Sequence, residues 1–578
     1  MCKRMIEEEE FADRFEETIL NQLYKGKGSQ EDLGNSRYIH IKDWLPRVCD
    51  SMIVKMMKDS ILKSSTIFQI GGQEGHRVQE HLFTVRSIIA MMITKGEGVI
   101  FQLYDIKKFF DKENLRDVMN TLKETGVQPK LYRSWYELNK KAVISVKTGA
   151  GLTGKAEAGE LIGQGSAGGA LASQVNIDMG LNGYFSGSKD EASYGDIRLH
   201  PLSFQDDVAR MAKSVIAAQI GNVKMAALMK DKQLEVHPDK TGYIVLGSRK
   251  FKEKICREVL ITPIRFGSMV TKMKTHDKYL GDIIHSDGLG ASMEATVKDR
   301  MGKVKGAMYE VAAIMEDFRM QALGGMQGAW DLWELAIVPS LLNNCGVWTE
   351  ISKATEDVLE ELQNSFVRRM LHVPVSTPKV SLLSETGLLS MKHRVWVEKL
   401  RMIIALHKLE GKALAKQIYL EQKRQGWPGL ISETSAICRE LEIPDINHSV
   451  VSNGTIKKAI KQHRKKQLIE LMGRSEKMAS LVEDENGEAK EYMMVKNIND
   501  SRLMFRVRTR MVAFKENMKN MYGRTNLQCD QCNTGMIESQ THVMVCPGYS
   551  EQRVGVDLGT MDGLIKYFRD VMKIRFGD

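Results

Sequence analysis

The apolar positions in the first half of the chain alternate between strand-like and helix-like patterns. A continuous apolar run, Val99 to Tyr104, ends in Asp105 and is typical of a buried strand. Farther along, two adjacent acids, Asp206 and Asp207, interrupt another apolar run and indicate the tip of a tight hairpin. Helical spacing appears between the predicted strands in four sets: Leu82, Val85, Ile88, Ile89 and Met92; Leu115, Val118, Met119 and Leu122; Leu171 to Met179; and Ile216, Ile220 and Val223. Strands are also indicated from Ala142 and over Tyr243 to Leu246. Strands and helices are therefore mixed in this half of the chain.

The second half is more strongly helical. From about residue 285 to 400 the apolar residues recur at helical spacing, as in Val304, Met308, Val311, Ala312 and Met315. Trp330, Trp333 and Trp348 lie in this region, and we expect them to be core residues rather than stacking platforms. A break follows at Trp427-Pro428-Gly429.

Two basic segments follow that break. The predicted helix 455–473 carries Lys457, Lys458, Lys461, Arg464, Lys465 and Lys466, and a second stretch holds Arg502, Arg506, Arg508 and Arg510. Such clusters are typical of surfaces that bind phosphate backbones, although a solvated helix face has the same composition.

Composition limits the class of protein. With 578 residues and a hydrophobic share of 43%, the chain should fold into several domains. Its formal charge of +10 favours an anionic partner without naming one. Five of the eight cysteines are scattered singly, which argues against a disulfide framework. No apolar run is long enough to span a bilayer, and the acidic start Glu7 to Glu10 contradicts a secretory signal. We therefore expect an intracellular protein, nuclear or cytoplasmic, without a membrane partner.

The three acids suggest a specific chemistry. If Asp105 at a strand end lies beside the hairpin tip of Asp206 and Asp207, the carboxylates form a site for two divalent cations. Mg²⁺ favours such sites, where carboxylates and substrate phosphates share the ligand positions. A pair of cations suits in-line displacement at phosphorus. An isolated Asp-Asp pair is usually only a solvated turn, so the hypothesis depends on Asp105.

From these residues outward, the chain resembles the reverse transcriptases of non-LTR retrotransposons, the LINE type. The matching segments occur in the family's order over about residues 20 to 290. They are Lys25-Gly26-Lys27-Gly28 and Asn35-Ser36-Arg37-Tyr38-Ile39 (fingers motifs), Gln69-Ile70-Gly71-Gly72, Asp105 with Phe110-Asp111 (motif A), Gln164-Gly165 (motif B), Phe204-Gln205-Asp206-Asp207 (motif C), His237 to Thr241 (motif D) and Lys278-Tyr279-Leu280-Gly281 (motif E).

The resemblance implies an α+β right-hand polymerase, in which the palm is an antiparallel sheet backed by helices. Its parts would be fingers over residues 1–96, a palm with interleaved fingers elements over 97–284, a helical thumb over 285–410, a basic helical region over 411–525 and a zinc-knuckle-like module with a tail over 526–578. The implied activity is RNA-directed DNA synthesis from a primer 3′-hydroxyl. The implied partners are an RNA template, a DNA primer and target DNA, and deoxynucleoside triphosphates.

The resemblance also implies roles for individual residues. Asp105, Asp206 and Asp207 would hold two Mg²⁺, and Lys240 would protonate the leaving pyrophosphate. The nucleotide-binding residues would be Lys25, Arg37, Phe110, Gln164 and Gly165, with Phe110 against the sugar. A surface Arg or Lys and a core Phe are the plain alternatives. Departures from the family pattern are Tyr38 for Pro, Gly169-Ala170 for Ser-Pro and Gln205 for Ala.

A Cys-x₂-Cys-x₉-His-x₃-Cys pattern lies near the C-terminus. Its members are Cys529, Cys532, His542 and Cys546. Three thiols and an imidazole at this spacing suit one tetrahedral, structural Zn²⁺. The pattern also resembles the Cys-Cys-His-Cys module that non-LTR elements carry near their C-terminus.

Two functions remain open at this point. The first is an active reverse transcriptase. The second is a decayed or domesticated retroelement protein that binds nucleic acid without polymerising. The segments before the fingers and after the zinc pattern are too short for the family's endonuclease domains, so we expect none in this chain. The altered motif B favours the second function, whereas the three acids, Phe110 and Lys240 favour the first.

Overall fold

The computed structural model describes residues 2–577 apart from 27, 160–161, 164, 317, 475–477, 479–480, 495–496 and 523–525. The chain divides into two compact units. Unit 1 comprises Met1–Ser292 with Ala405–Ser432, and unit 2 comprises Met293–Ile404 with Glu433–Asp578. The five-part division expected from the sequence stays a prediction. Within the described ranges, no helix combines the length and apolar character that a membrane span needs.

All named strands lie in unit 1. They are β1 Glu17–Tyr24, β2 Ser36–Lys42, β3 Gly98–Asp105, β4 Ala142–Thr148, β5 Gly151–Leu152, β6 Ala156–Gly159, β7 Ser193–Tyr194, β8 Ile197–Arg198, β9 Leu202–Phe204, β10 Asp207–Ala212, β11 Gly242–Gly247, β12 Arg265–Phe266, β13 Met269–Val270, β14 Lys272–Met273, β15 His276–Tyr279 and β16 Asp282–His285.

Helices occur throughout the chain. They are α1 Cys2–Glu8, α2 Trp44–Ser64, α3 Val78–Thr94, α4 Phe109–Lys112, α5 Leu115–Glu124, α6 Pro129–Asn139, α7 Ala167–Phe185, α8 Val215–Asp231, α9 Arg249–Ile261, α10 Leu289–Glu316, α11 Phe318–Leu332, α12 Val338–Leu341, α13 Lys353–Leu371, α14 Lys379–Thr386, α15 Met391–Lys408, α16 Leu414–Gln425, α17 Leu430–Glu440, α18 Asn453–Gly473, α19 Ile498–Arg508, α20 Lys515–Tyr522, α21 Gln540–Val545, α22 Ser550–Arg553 and α23 Met561–Phe576. The predicted mixture of helices and sheet is confirmed.

The central sheet of unit 1 has the strand order β14-β11-β3-β10-β9. Strand β3 is buried along its length until Asp105, because it lies between two partners. It pairs antiparallel with β10 on one side and with β11 on the other. Helices α8 and α9 pack on this sheet through Val215, Ala218 and Ile255. A second sheet, in the order β2-β1-β4-β5 with β6 beside β4, contains the predicted strand that begins at Ala142.

Helix α8 buries a different face from the one that its large apolar residues suggest. Val215, Ala218 and Met225 are buried, whereas Ile216 and Val223 are 73% and 60% exposed. Small side chains such as that of Ala218 allow the helix to lie close to the sheet, and Ile216 and Val223 are left on the outer face.

Unit 2 is built around a helical core. Trp330, Trp333 and Trp348 are all buried, so the expectation that they are core residues is confirmed. The ring of Trp333 stacks on Phe366 of α13, with ring centroids 4.7 Å apart. Aromatic rings of this size contribute much of the buried apolar area in a helical core.

The two basic segments differ in what they expose. On α18 the lysines at 457, 458, 461, 465 and 466 are exposed, whereas Arg464 is buried and donates to the carbonyl of Leu383. The arginines of α19 serve the fold. Arg502 donates to the carbonyl of Met370 (2.9 Å), and Arg508 pairs with the buried Glu385 (2.8 Å). Of the two segments, α18 therefore exposes the larger basic surface, on which Lys461 pairs with Glu488 and Lys466 with Glu442.

Candidate active site

The three predicted acids meet where β3 ends. Asp207, the first residue of β10, lies directly opposite Asp105, the last residue of β3, in the antiparallel register. It also pairs with Phe204 at the end of β9, so that Gln205 and Asp206 form the hairpin tip. A one-residue slip would turn these side chains to the other face of the sheet, so the site depends on this register.

A segment upstream of α3 supports this tip. The backbone of Gln205 has φ of 58°, a left-handed conformation that is unusual outside glycine. The Gln69 carboxamide oxygen accepts hydrogen bonds from the backbone N–H groups of Gln205 (3.2 Å) and Gly71 (2.9 Å). A Cβ on Gly71 would lie 2.5 Å from the Gln205 nitrogen, so only glycine fits there. Gln69 and Gly71 are therefore positioning residues for Asp206.

In the sequence, the Gln-x-Gly spacing at 69–71 is the feature that corresponds to this contact with Gln205. The sequence identified the segment as part of the family resemblance but assigned it no role. Its partner lies more than 130 residues away, and the pattern alone does not reveal such a partner.

The electrostatics of the acids follow from their crowding. Partial loss of hydration, then repulsion from Asp206 and Asp105, raises the pKa of Asp207 to about 6. Loss of hydration, with repulsion from Asp105, also raises the pKa of Asp206. The charges of Arg37 and Lys240 act in the opposite direction on both carboxyl groups. The site thus concentrates negative charge that a cation would stabilise.

Lys240 lies directly at Asp105. Its Nζ is 3.2 Å from each oxygen of that carboxylate, and the Lys240 side chain is 61% exposed. The segment before it closes over the end of β3, because the His237 N–H donates to the Asp105 carbonyl (2.7 Å). The Thr241 hydroxyl accepts from the Asp105 N–H (3.4 Å). Motif D is thereby attached to the strand that carries motif A.

A cleft of 520 Å³ opens at these residues. Asp105, Asp207 and Lys240 line one part of it, and the turn Leu280–Gly281 between β15 and β16 lines another. This volume and its mixed charges suit a polar, phosphate-bearing substrate.

The fingers residues differ in their relation to the acids. Arg37, on β2, is exposed. Its charge offsets part of the rise in the pKa values of Asp206 and Asp207. Lys25 lies in the loop between β1 and β2, where its ammonium donates to the Gly34 carbonyl (3.0 Å). Arg37 is thus brought to the site, while Lys25 is engaged with its own loop.

Phe110 lies on the short helix α4 that follows β3. It is half-buried and packs at the edge of two apolar clusters, whereas its neighbour Phe109 is buried. The two ring centroids are 5.4 Å apart in an edge-to-face arrangement. Phe110 is therefore partly exposed, although it is not among the described residues that line the cleft, and Phe109 is a core residue.

Motif B is only partly described. Gln164 lies outside the described residues. Gly165 has φ of 114°, and a Cβ there would lie 3.2 Å from Ile39 and 3.4 Å from the His40 carbonyl. The start of α7 therefore packs closely on β2, two residues beyond Arg37.

The acids provide a donor set that fits Mg²⁺. Three carboxylates, two at strand ends and one at the adjoining hairpin tip, are the hard oxygen ligands this ion prefers, and the raised pKa values of Asp206 and Asp207 show that their charges are not fully compensated. Asp105, Asp206 and Asp207 would hold two such cations, with Lys240 displaced from Asp105.

The C-terminal pattern forms a compact cluster in unit 2. The ligand atoms of Cys529, Cys532, His542 and Cys546 all lie within 4.8 Å of one another, and no other Cys, His, Asp or Glu group in the described ranges gathers its ligand atoms this closely. The Cys529 and Cys546 sulfurs are 3.8 Å apart, and the Cys532 sulfur is 3.4 Å from the His542 Nε2. These separations match the edges of a tetrahedron with Zn–S bonds of about 2.3 Å.

The surrounding backbone holds the cluster in place. The Cys529 N–H donates to the Met536 carbonyl (2.9 Å), which closes the loop that carries Cys532. Ser539 caps α21 by accepting from the His542 N–H (3.1 Å), and Cys546 follows that helix directly. The four side chains fit one Zn²⁺.

No protein-family model matches the chain, and no curated protein matches it. Among solved structures, telomerase from Candida albicans in complex with a TWJ fragment of telomeric RNA is similar over 83% of this chain and 67% of that one, at 10% identity and a TM-score of 0.37. Apo telomerase from Candida tropicalis is similar over 71% of this chain and 69% of that one, at 9% identity and a TM-score of 0.35. A form of it truncated from the C-terminal domain is similar over 48% of this chain and 55% of that one, at 10% identity and a TM-score of 0.33. Because identity and TM-scores are this low, the functional conclusion rests on the geometry of the site.

Proposed function

We propose that the chain is an RNA-directed DNA polymerase of the non-LTR retrotransposon type. The observation that carries the proposal is the pairing of Asp105 with Asp207 on neighbouring antiparallel strands, with Asp206 at the adjoining hairpin tip. Lys240 and Arg37 place positive charge around these acids, as a triphosphate requires. The ordered series of motifs identifies the reaction as nucleotide addition.

Each residue then has a defined task. The two Mg²⁺ held by Asp105, Asp206 and Asp207 would supply Lewis-acid activation of the primer hydroxyl and charge stabilisation at phosphorus. Lys240 donates a proton to the leaving pyrophosphate, since its ammonium lies at the site and is exposed to the cleft. Arg37 binds the triphosphate as a bidentate donor.

Two further residues would act on the nucleotide itself. The exposed edge of Phe110 lies against the sugar and excludes a 2′-hydroxyl. Gly165 allows the start of α7 to approach β2, where Gln164 and Gly165 meet the template and the incoming base. Lys25 remains a candidate for the triphosphate if its loop rearranges on binding.

The partners follow from the same proposal. The exposed lysines of α18 hold the phosphate backbone of the RNA template, the DNA primer or the target DNA without reading sequence. The Cys-Cys-His-Cys cluster binds one structural Zn²⁺ and stabilises its own module. The five-part domain division and an intracellular location belong to this proposal as well.

Primer extension on an RNA template tests it. Purified protein should extend a DNA primer with deoxynucleoside triphosphates in the presence of Mg²⁺, and should stop when EDTA is added. A protein that binds the primer–template and does not extend it, at any Mg²⁺ concentration, would contradict the proposal and favour the decayed-element alternative.

A further inference from the structure

A buried polar network lies on the face of the central sheet opposite to the carboxylates, since side chains alternate between the two faces along each strand. The side chain of Arg210, on β10, is 0% exposed, and its Nε donates to the Glu191 carboxylate at 2.8 Å. Its Nη1 donates to the carboxamide oxygen of Gln102, on β3, at 2.6 Å. The guanidinium therefore joins the strand that ends in Asp105 to the strand that begins with Asp207.

The network continues into helix α8. Gln102 donates through Nε2 to the carboxamide oxygen of Asn222 (2.8 Å), which also accepts from the Tyr104 hydroxyl (2.7 Å). Gly221 leaves the space that the guanidinium fills, because a Cβ there would lie 2.0 Å from Arg210 Nη1. Buried polar groups are costly when they lose a partner, so the network holds β3, β10 and α8 in one arrangement.

Arg210 and Gln102 are also direct cross-strand partners. In the antiparallel register of β3 and β10, they face each other three positions from the pair of Asp207 and Asp105. The other four pairs are apolar or aromatic: Val208 with Tyr104, Ala209 with Leu103, Met211 with Phe101, and Ala212 with Ile100. Apolar contacts are non-directional, whereas hydrogen bonds require a defined distance and angle. The contact between Arg210 and Gln102 therefore distinguishes the observed register from a shifted one.

The acids themselves do not favour this register. Asp105 and Asp207 lie directly opposite each other, and repulsion from Asp105 contributes to the raised pKa of Asp207. A shift of two residues along the strands would keep each side chain on its own face and would separate the two carboxylates. The same shift would take Arg210 away from Gln102. The network thus opposes the movement that the carboxylates favour before a cation binds.

We propose that Arg210 is a positioning residue that fixes the register of β3 and β10, together with Gln102 and Glu191, and thereby keeps Asp105 and Asp207 together for metal binding. This inference rests on the proposed function, because it concerns the same carboxylates. Arg210 itself touches neither metal nor substrate, since it is buried on the other face of the sheet. Its loss should therefore lower metal affinity and catalytic rate more than it lowers the stability of the fold.

The decisive variant replaces the three polar groups with apolar residues of similar size, Arg210→Met, Glu191→Leu and Gln102→Met. Buried ion pairs often tolerate such replacement with little loss of stability, whereas removal of one partner leaves an uncompensated charge. The matched control is another buried pair, Arg86 and Asp282 (2.9 Å, 2% and 0% exposed), replaced by Met and Leu. Arg86 lies on α3 and Asp282 on β16, so this pair does not join β3 to β10.

Three quantities are measured for the parent, the triple variant and the control. They are the thermal unfolding midpoint, the dissociation constant for Mn²⁺ by electron paramagnetic resonance, and the methyl NMR signals of Leu103, Ala209 and Met211. Mn²⁺ stands in for Mg²⁺, and the site is defined by the binding that Asp105→Asn removes. The parent and the control should give one set of methyl signals, with a cross-peak between Leu103 and Ala209.

The triple variant should keep the parental unfolding midpoint and show more than one set of these methyl signals. Its dissociation constant for Mn²⁺ should rise by about 10- to 100-fold, as is typical when the groups that orient metal ligands are lost. Single-nucleotide extension should fall by about a hundredfold, because a displacement of about 1 Å at the reacting groups has this effect. The Arg86/Asp282 control should match the parent in all of these measurements.

The variant Gln102→Met decides the question if the triple variant does not fold, because it leaves the ion pair of Arg210 and Glu191 intact. It should show the same changes to a smaller extent. A folded triple variant with one set of methyl signals and parental Mn²⁺ affinity would overturn the inference, and so would this result in Gln102→Met. Equal changes in the Arg86/Asp282 control would also overturn it, since they would show a general effect on the fold.

The failure of this inference is distinguishable from the failure of the proposed function. If the parent binds Mn²⁺ at the carboxylates and never extends a primer, the polymerase proposal fails, and the metal affinities and methyl signals still decide this inference. If the parent has no Mn²⁺ site that depends on Asp105, both fail.

Discussion

Lys240 donates to both oxygens of Asp105, at 3.2 Å each, in the position that a metal ion would share. The ammonium thereby supplies one positive charge to a site with three carboxylates. On the proposed function, Mg²⁺ would compete with Lys240 for the Asp105 carboxylate, and the displaced ammonium would be available to the leaving group.

Lys240→Met should therefore have two separable effects. The turnover number should fall by about 10²- to 10⁴-fold, because the proton donor is lost. The Mg²⁺ concentration for half-maximal rate should also fall, by up to about fivefold, since an exposed ion pair is worth up to about 1 kcal/mol. Single-turnover extension at varied Mg²⁺ measures both. Arginine keeps the charge but is a poor acid. The Lys240→Arg variant should therefore have a low turnover number and need the same Mg²⁺ concentration as the parent for half-maximal rate. Parental turnover in Lys240→Met would show that the lysine is only a counter-ion.

Phe110→Ala should relax the choice of sugar. If the half-buried ring lies against the sugar as proposed, its removal leaves room for a 2′-hydroxyl. We expect the ratio of kcat/KM for deoxyribonucleotide over ribonucleotide to fall by at least about tenfold, a loss of about 1.4 kcal/mol of discrimination. Phe109→Ala is the control. That ring is buried, so its loss should lower stability by about 3–5 kcal/mol without a specific change in the ratio. If both variants discriminate as the parent does, Phe110 is ordinary core.

The stability of unit 2 should depend on a buried histidine. His393 bonds through Nε2 to His463 Nδ1 (2.9 Å) and through Nδ1 to the Ser390 hydroxyl (2.8 Å). Burial, with further repulsion from His463, Lys392 and Arg464, lowers the pKa of His393 to about 3. Burial also lowers the pKa of His463, against the opposing charges of Glu440 and Glu442. Both imidazoles are therefore neutral in the folded protein at pH 7.

A histidine with a lowered folded pKa binds fewer protons in the folded chain than in the unfolded chain. Its contribution to stability is complete above about pH 6.5 and is lost as the pH falls toward 3. The free energy of unfolding should drop by about 1.4 kcal/mol per pH unit in that window for His393 alone. Urea unfolding at pH 4.5, 5.5 and 6.5, followed by tryptophan fluorescence, measures this slope. The His393→Gln variant should show a smaller slope of unfolding free energy against pH. The control His448→Gln, at an exposed position, should keep the parental slope. Equal slopes in the parent and both variants would contradict the role given to His393.

Cys532→Ser should release the zinc. With one thiolate ligand missing, the small module around residues 526–549 should lose protection in hydrogen exchange, while β3 and β10 keep theirs. Metal analysis of the purified protein should give one Zn²⁺ per chain for the parent and for the control Cys256→Ser, and much less for the variant. Zinc-free parental protein with a protected module would contradict the metal assignment.

The same variant separates binding from chemistry. We expect extension on a short, simple template to survive, because the module belongs to unit 2 and the carboxylates belong to unit 1. Affinity for a long structured RNA should fall. Equal loss on both templates would mean that the module supports the polymerase core instead.

Local pattern predicted much of the site. One apolar run ends in Asp105, and two acids interrupt a second apolar run. Each of these signals lies within a single segment of the sequence. The structure places Asp207 of the second run opposite Asp105 of the first. The spacing of the four zinc-site residues is likewise local, and the structure gathers them. Sequence succeeds in these cases because each element carries its own hydrophobic signature.

Tertiary choices were not accessible in the same way. Which face of α8 is buried depends on how closely small residues let it approach the sheet, and Ile216 and Val223 are exposed as a result. The α19 arginines resemble a phosphate-binding patch in sequence, yet Arg502 and Arg508 satisfy buried groups from distant helices. The Arg86–Asp282 pair joins residues too far apart for any local pattern to connect.

The central claim is that Asp105, Asp206 and Asp207 are the metal ligands of a polymerase, and single-nucleotide primer extension on an RNA template in Mg²⁺ tests it most directly. Asp105→Asn and Asp206→Asn remove a charged ligand and keep the side-chain shape, so both variants should keep the parental unfolding midpoint and primer–template affinity while extension falls at least about 10³-fold. Asp196→Asn, an exposed acid paired with Arg424, should extend at the parental rate. Extension by Asp105→Asn or Asp206→Asn at the rate of the parent would contradict the account.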